Sequence, residues 1–148
     1  MIIESSAFKN GEMIPSEFTC EGENCNPPLE WKEVPEGTKS FAIIMDDPDS
    51  PGGTWLHWAI WNIPSEARSI TKATTPIGAL EGKTSFGNIG YGGPCPSRGE
   101  HRYYFRLFAL DVELAIARGN ERSVIEQALI GHVLADSELM GRYEKIRH

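Results

Sequence analysis

Histidine, tyrosine, aspartate and cysteine gather in a few short stretches of this 148-residue chain. Asp46-Asp47-Pro48-Asp49-Ser50-Pro51-Gly52-Gly53 puts three carboxylates in what reads as a turn, where Asp side chains close readily onto the backbone. His57 follows inside a tryptophan-rich tract, and His101 and Tyr103 come just after a run of glycines. In an extended strand His101 and Tyr103 share one face, about 7 Å apart along it. Two imidazoles, a phenol and glycine N–H groups are all hydrogen-bond donors. Donors that converge bind an anion such as phosphate or carboxylate. A neighbouring carboxylate would orient the imidazoles and favour their protonated form. The plainer readings are a solvated acidic turn and a histidine satisfied within the core.

Other chemistries fit these residues less well. Cys95 and His101 could form a nucleophile–base pair, but Cys95 lies between Pro94 and Pro96, with no helix N-terminus expected there to lower its pKa. Cys20, Cys25, Cys95 and His101 could hold zinc, yet the Cys-x4-Cys spacing lacks a second matching pair. A calcium loop fails because Pro51 replaces the third oxygen ligand and no bidentate Glu follows. The chain has no Gly-x-Ser-x-Gly elbow, and the glycines of 87–93 match neither a P-loop nor a dinucleotide fingerprint.

These residues need strands to hold them. The apolar run 41–45 ends in acids and prolines, which favours a buried strand. A second strand is expected over 55–63, closed by Pro64, with Trp55, His57, Ala59 and Trp61 on one face by alternation. Residues 101–112, aromatic and β-favouring throughout, form the clearest strand. Residues 11–40 read as loop with short strands around Phe18 and Trp31, and 74–100 as a long glycine-rich loop. Ser123 and Glu126 form a capping-box pattern, which predicts a helix from there to about residue 134, and 136–144 reads as a closing strand.

The 15 glycines and 10 prolines favour turns over a helical bundle. No repeat or linker divides the chain, so a single domain over residues 1–148 is expected. A formal charge of −7 argues against nucleic acid and against an anionic membrane surface. No apolar stretch approaches the roughly 20 residues of a membrane span, and the N-terminal residues lack a signal-peptide pattern, so a cytoplasmic location is expected. Three cysteines suggest no disulfide framework, with Cys20 and Cys25 able to pair in an oxidising compartment.

Taken together, Asp47-Pro-Asp-Ser-Pro51, His57 in its Trp-rich strand and Gly93-Pro-Cys-Pro-Ser-Arg-Gly-Glu-His-Arg-Tyr103 resemble the phosphatidylethanolamine-binding protein family, which includes the Raf kinase inhibitor proteins. Phe18-Thr-Cys-Glu-Gly and Asn26-Pro-Pro-Leu-Glu-Trp31 are similar to its bacterial and archaeal branch. The resemblance spans nearly the whole chain. It implies a mainly β fold, with a large antiparallel sheet packed on a smaller one and a helix near the C-terminus. It also implies a small pocket for phosphate-like anions and phospholipid head groups. By motif position Asp47 would be the pocket acid, with Asp49 supporting the turn. His57, His101 and Tyr103 would be donors, Trp55 a wall, and Pro94 and Cys95 part of the rim loop. Arg102 would face the other way, into a structural ion pair.

Two departures stand out. Eukaryotic relatives carry a C-terminal helix over the pocket, whereas here the sequence stops soon after Tyr143, so an open pocket or one covered by a second subunit is expected. Ser97 stands where many relatives have another proline. The reading that results is a non-enzymatic binding module for a small anion such as phosphate or phosphoryl-ethanolamine, needing no metal or cofactor. A homodimer is one expected assembly. A regulator acting on a protein target such as a protease or kinase is the alternative, and a hydrolase using Asp47 and His57 ranks last.

Overall fold

The apolar run at 41–45 lies in the middle of the larger of two antiparallel sheets. The computed structural model describes residues 1–146. The strands are β1 (Ile2–Glu4), β2 (Leu29–Lys32), β3 (Ser40–Asp47), β4 (Trp55–Pro64), β5 (Ser69–Ile70), β6 (Leu80–Glu81), β7 (His101–Leu110) and β8 (Val133–Tyr143), with the helix α1 at Arg122–Leu129. The larger sheet runs β6-β4-β3-β7-β8 and the smaller β1-β2-β5. Every residue of β3 is buried, because this central strand is covered on both faces.

Alternation along β3 builds two cores. Phe41, Ile43 and Met45 face the smaller sheet, where they join Ile3, Trp31 and Trp58. Ala42 and Ile44 face the opposite way, onto Ala59, Trp61 and the buried Ile125 and Leu129 of α1. The same alternation parts the two adjacent acids. Asp46 turns toward α1 and accepts hydrogen bonds from Arg122 at 2.7 Å and Arg106 at 3.2 Å. Two guanidiniums on one carboxylate 2% exposed offset its desolvation. Asp47 turns to the other face.

Several expectations need correction. The segment around Phe18 is a short 3-10 turn, Ser16–Phe18, and not a strand. The capping box does not form: α1 starts at Arg122 after an extended Glu121 without a side-chain cap, and Glu126 pairs with Arg122 one turn away. The helix also ends early, because Gly131 takes φ +81, a left-handed conformation that stops a helix. β8 consequently begins at Val133.

His57 does not share a face with Ala59 and Trp61. Met45 pairs with Trp58 and Asp46 with Leu56, so His57 is an extra residue on β4, a β-bulge. Leu56, Ala59 and Trp61 face α1, while Trp58 lies in the inter-sheet core. The bulge puts His57 on the same side as Trp58.

The cysteines are corrected too. Cys20 is bonded to Cys95, 75 residues away, and Cys25 is free. Among the described residues no helix is long and apolar enough to cross a membrane.

Candidate functional site

At one end of the larger sheet, where β3 and β4 meet the start of β7, lies a cavity of about 190 Å³. Asp47, Trp55, His57, Cys95, His101 and Tyr103 line it, joined by Ser50, Pro51, Phe86, Pro96 and Ser97. The motif residues far apart in sequence therefore do converge. Pairing of β3 with β7 brings the end of one strand beside the start of the other, and the bulge turns His57 toward both.

Each histidine is held by its Nδ1. That of His101 donates to Asp47 Oδ2 at 2.7 Å, while the other oxygen of Asp47 accepts the backbone N–H of Asp49 at 2.7 Å. The Nδ1 of His57 donates to the Gly92 carbonyl at 2.7 Å. Asp47 thus orients only one of the two imidazoles. His57 is buried, and burial pushes its pKa below the ordinary value, against the pull of the Gly92 carbonyl and the Asp47 charge. The Asp47 charge does favour the His57 imidazolium, as expected, but burial outweighs it. With Nδ1 engaged on each ring, Nε2 is the nitrogen left for a ligand, and in the imidazolium it donates.

Tyr103 is fully buried between the two histidine rings, 5.2 Å from one and 6.4 Å from the other by ring centres. Its hydroxyl has no hydrogen-bond partner among the described residues. Burial raises its pKa well above the ordinary value, and the nearby Asp47 charge adds to this. Asp47 and the Cys95 backbone are near enough to influence the phenol, but neither makes a well-formed hydrogen bond with it. A buried hydroxyl left in that condition costs about 1–3 kcal/mol.

Two expected site residues lie elsewhere. Asp49 is bidentate to Arg102, with both N···O distances 2.9 Å, and also accepts the Arg102 backbone N–H. The guanidinium holds its carboxyl down to about 2, so Asp49 fastens the turn to β7 and does not line the cavity. Arg102 points to the other face, as alternation required. Pro94 is buried behind the rim, where its carbonyl accepts from the Cys20 N–H at 3.1 Å. The three acids of the turn thus each have their own partners, two arginines on Asp46, His101 on Asp47 and Arg102 on Asp49, and do not form a shared metal cradle.

Phe86 is the wall residue that sequence reasoning missed. Its ring stands edge-on to Trp55 and His57, with centres 5.5 and 5.2 Å away. Two aromatics, Phe86 and Tyr91, interrupt the glycines of 82–93, which was the available signal. With Cys20 and Cys95 joined, no thiol remains at Cys95 to act as a nucleophile and neither sulfur offers zinc a thiolate.

Residues 4–144 match the family model described as phosphatidylethanolamine-binding protein. A UPF0098 protein of Aquifex aeolicus is 45% identical, with 98% of this chain and 89% of that one aligned. Another, from Pyrococcus horikoshii, is 45% identical over 95% of this chain and 75% of its own length. The crystal structure of a Chlamydia trachomatis protein, described as a phosphatidylethanolamine-binding protein homologue, is similar at TM-score 0.94 and 37% identity, covering 98% and 97% of the two chains. That of E. coli YbcL, described as a member of the mammalian family, gives TM-score 0.90 and 34% identity over 97% and 98%.

Proposed function

The chain belongs to the phosphatidylethanolamine-binding protein family, and on that premise we propose that it binds a small phosphate-like anion without transforming it. The observation that carries this reading is Tyr103: a fully buried phenol O–H without a hydrogen-bond partner among the described residues, lining a cavity beside two imidazoles that are each held through Nδ1. An anionic oxygen placed there accepts from all three. It favours the imidazolium form of the histidines, and the Asp47 carboxylate behind His101 supports the charge. At about 190 Å³ the cavity suits a phosphoryl group more than a drug-sized molecule, for which ~300 Å³ is a lower bound. The test is NMR titration of the intact protein with inorganic phosphate. Saturable shifts of the His57, His101 and Tyr103 ring signals are expected; shifts confined to surface lysines would refute the assignment.

The partners belong to the same reading. Ile130, Val133 and Leu134 are exposed together around the start of β8, an apolar edge suited to a second copy of the chain. Solution scattering that gives a strict monomer across concentration would remove the homodimer. An action on a protease or kinase is the alternative role, and inhibition that survives His101→Ala would favour it over anion binding. A cytoplasmic location is also part of the proposal. The Cys20–Cys95 bond pulls against it, since disulfides persist mainly in oxidising compartments: alkylation of intact cells that traps both sulfurs as thiols would support the cytoplasmic reading, and recovery of the intact bond would overturn it.

A further inference from the structure

The anion cavity has a neighbour. A second cavity of about 230 Å³ opens beside it, bounded by Cys20, Asn24, Asn88, Tyr91 and the Gly92–Gly93 backbone. Phe86 and Cys95 line both. Neither space alone reaches the ~300 Å³ at which small-molecule sites begin, whereas the two joined do.

One half-exposed side chain, Phe86, separates them. Phe86 is 46% exposed and belongs to neither core. Edge contacts to Trp55 and His57 hold one side of its ring. The other side lies against Gly92, where even a methyl group would come within 2.6 Å of the ring. A rotamer change of such an exposed side chain takes picoseconds to nanoseconds, and it merges the two spaces.

The second cavity differs from the first in chemistry. No carboxylate, lysine or arginine lines it. The Tyr91 phenol donates to the Phe18 carbonyl at 2.7 Å and is not available. The sulfurs of Cys20 and Cys95 are joined. Asn24 Oδ1 accepts from the Gly93 N–H at 2.8 Å, and Asn88 Oδ1 from the Thr84 hydroxyl at 3.1 Å. The NH₂ group of each amide therefore has no partner among the described residues. Aromatic faces, a disulfide and two amide donors suit an uncharged, flat, partly apolar group that carries an acceptor atom. They offer no counter-charge to an ammonium.

We propose that the two cavities form one two-part site, with Phe86 as its movable partition, and that the ligand is a phosphomonoester of an uncharged, flat organic group. The phosphoryl end sits on His57, His101 and Tyr103. The organic end lies beyond Phe86, against the disulfide and the amides of Asn24 and Asn88. This inference rests on the anion-binding reading and narrows its ligand class.

Calorimetry and NMR with inorganic phosphate, phosphoethanolamine and phenyl phosphate test it. Phenyl phosphate should bind about tenfold tighter than inorganic phosphate, as expected for burial of one ring, and phosphoethanolamine should gain little. The side-chain amide signals of Asn24 and Asn88 should shift with phenyl phosphate and stay still with inorganic phosphate. Asn88→Trp, which fills the second cavity at an exposed position, should abolish the advantage of phenyl phosphate over inorganic phosphate. Equal affinity for the two phosphates, or amide signals unmoved by phenyl phosphate, overturns the two-part site and leaves the anion pocket standing. If neither phosphate binds, the anion pocket falls and the two-part site with it.

Discussion

Asp47 and His101 are joined by a 2.7 Å hydrogen bond, Oδ2 to Nδ1, between the end of one strand and the start of its neighbour. The pair is almost wholly buried, so the carboxylate faces any charge that His101 acquires with little screening. Replacing Asp47 with Asn removes the charge and keeps the shape. Phosphate affinity should fall about tenfold, the ~1.4 kcal/mol appropriate to one charge-assisted hydrogen bond. His101→Ala should lose at least as much. Calorimetry decides it, and an unchanged Kd for both variants would remove Asp47 and His101 from the binding site.

Tyr103→Phe separates binding from folding. The hydroxyl is buried without a hydrogen-bond partner among the described residues, so its removal should leave the melting temperature unchanged or raise it, by up to about 1–3 kcal/mol in stability. Anion affinity should fall in the same variant. A drop in both would show that the phenol already has a structural partner.

His57 couples binding to protons. Burial holds its pKa below the ordinary 6.5 in the folded chain. As pH falls through 6.5 the unfolded chain takes up its proton first, so the stability that His57 contributes is full above 6.5 and is lost as pH falls toward the depressed folded value. A bound anion favours the imidazolium and reverses this. Sulfate, a dianion throughout the range, should therefore bind more tightly at pH 6 than at pH 8, with proton uptake visible in buffers of different ionisation enthalpy. Flat affinity over that range in the wild type, or an unchanged slope in His57→Gln, would exclude His57 as the group responsible.

The Cys20–Cys95 bond closes a loop of 75 residues. In the chain-entropy account, a loop of that size is worth about 4 kcal/mol of stability. Denaturant unfolding of Cys20→Ser, or of wild type in excess dithiothreitol, should show a loss of that order. Cys25→Ser, which leaves the bond intact, should show little.

Much of this was visible in the amino-acid sequence. The apolar run at 41–45, the tryptophan tract and the aromatic run after His101 became β3, β4 and β7, since each pattern suits burial in a sheet. The spaced Asp-Pro-Asp and His-Arg-Tyr motifs pointed to residues that now line one cavity. What stayed hidden depended on distance in space or on a break in periodicity. Cys20 and Cys95 are 75 positions apart, and no spacing rule links them. Alternation misplaced His57 because a bulge adds one residue at that point. The turn acids read as one group, yet Asp46 serves two arginines, Asp47 a histidine and Asp49 another arginine. Phe86 and Tyr91 both interrupt the glycine run, and only the fold shows that Phe86 walls the anion cavity.

The bulge at His57 has a consequence for how the protein can change. Substituting the residue alters one side chain, whereas deleting it would restore regular alternation from Trp55 to Ile60. Trp55 would still sit opposite Asp47 and Trp58 opposite Met45, so both tryptophans would keep their faces and only the cavity would lose its imidazole. The imidazole is therefore an insertion that the sheet itself does not need: the phasing of the tryptophans is indifferent to residue 57, and the cavity alone depends on it.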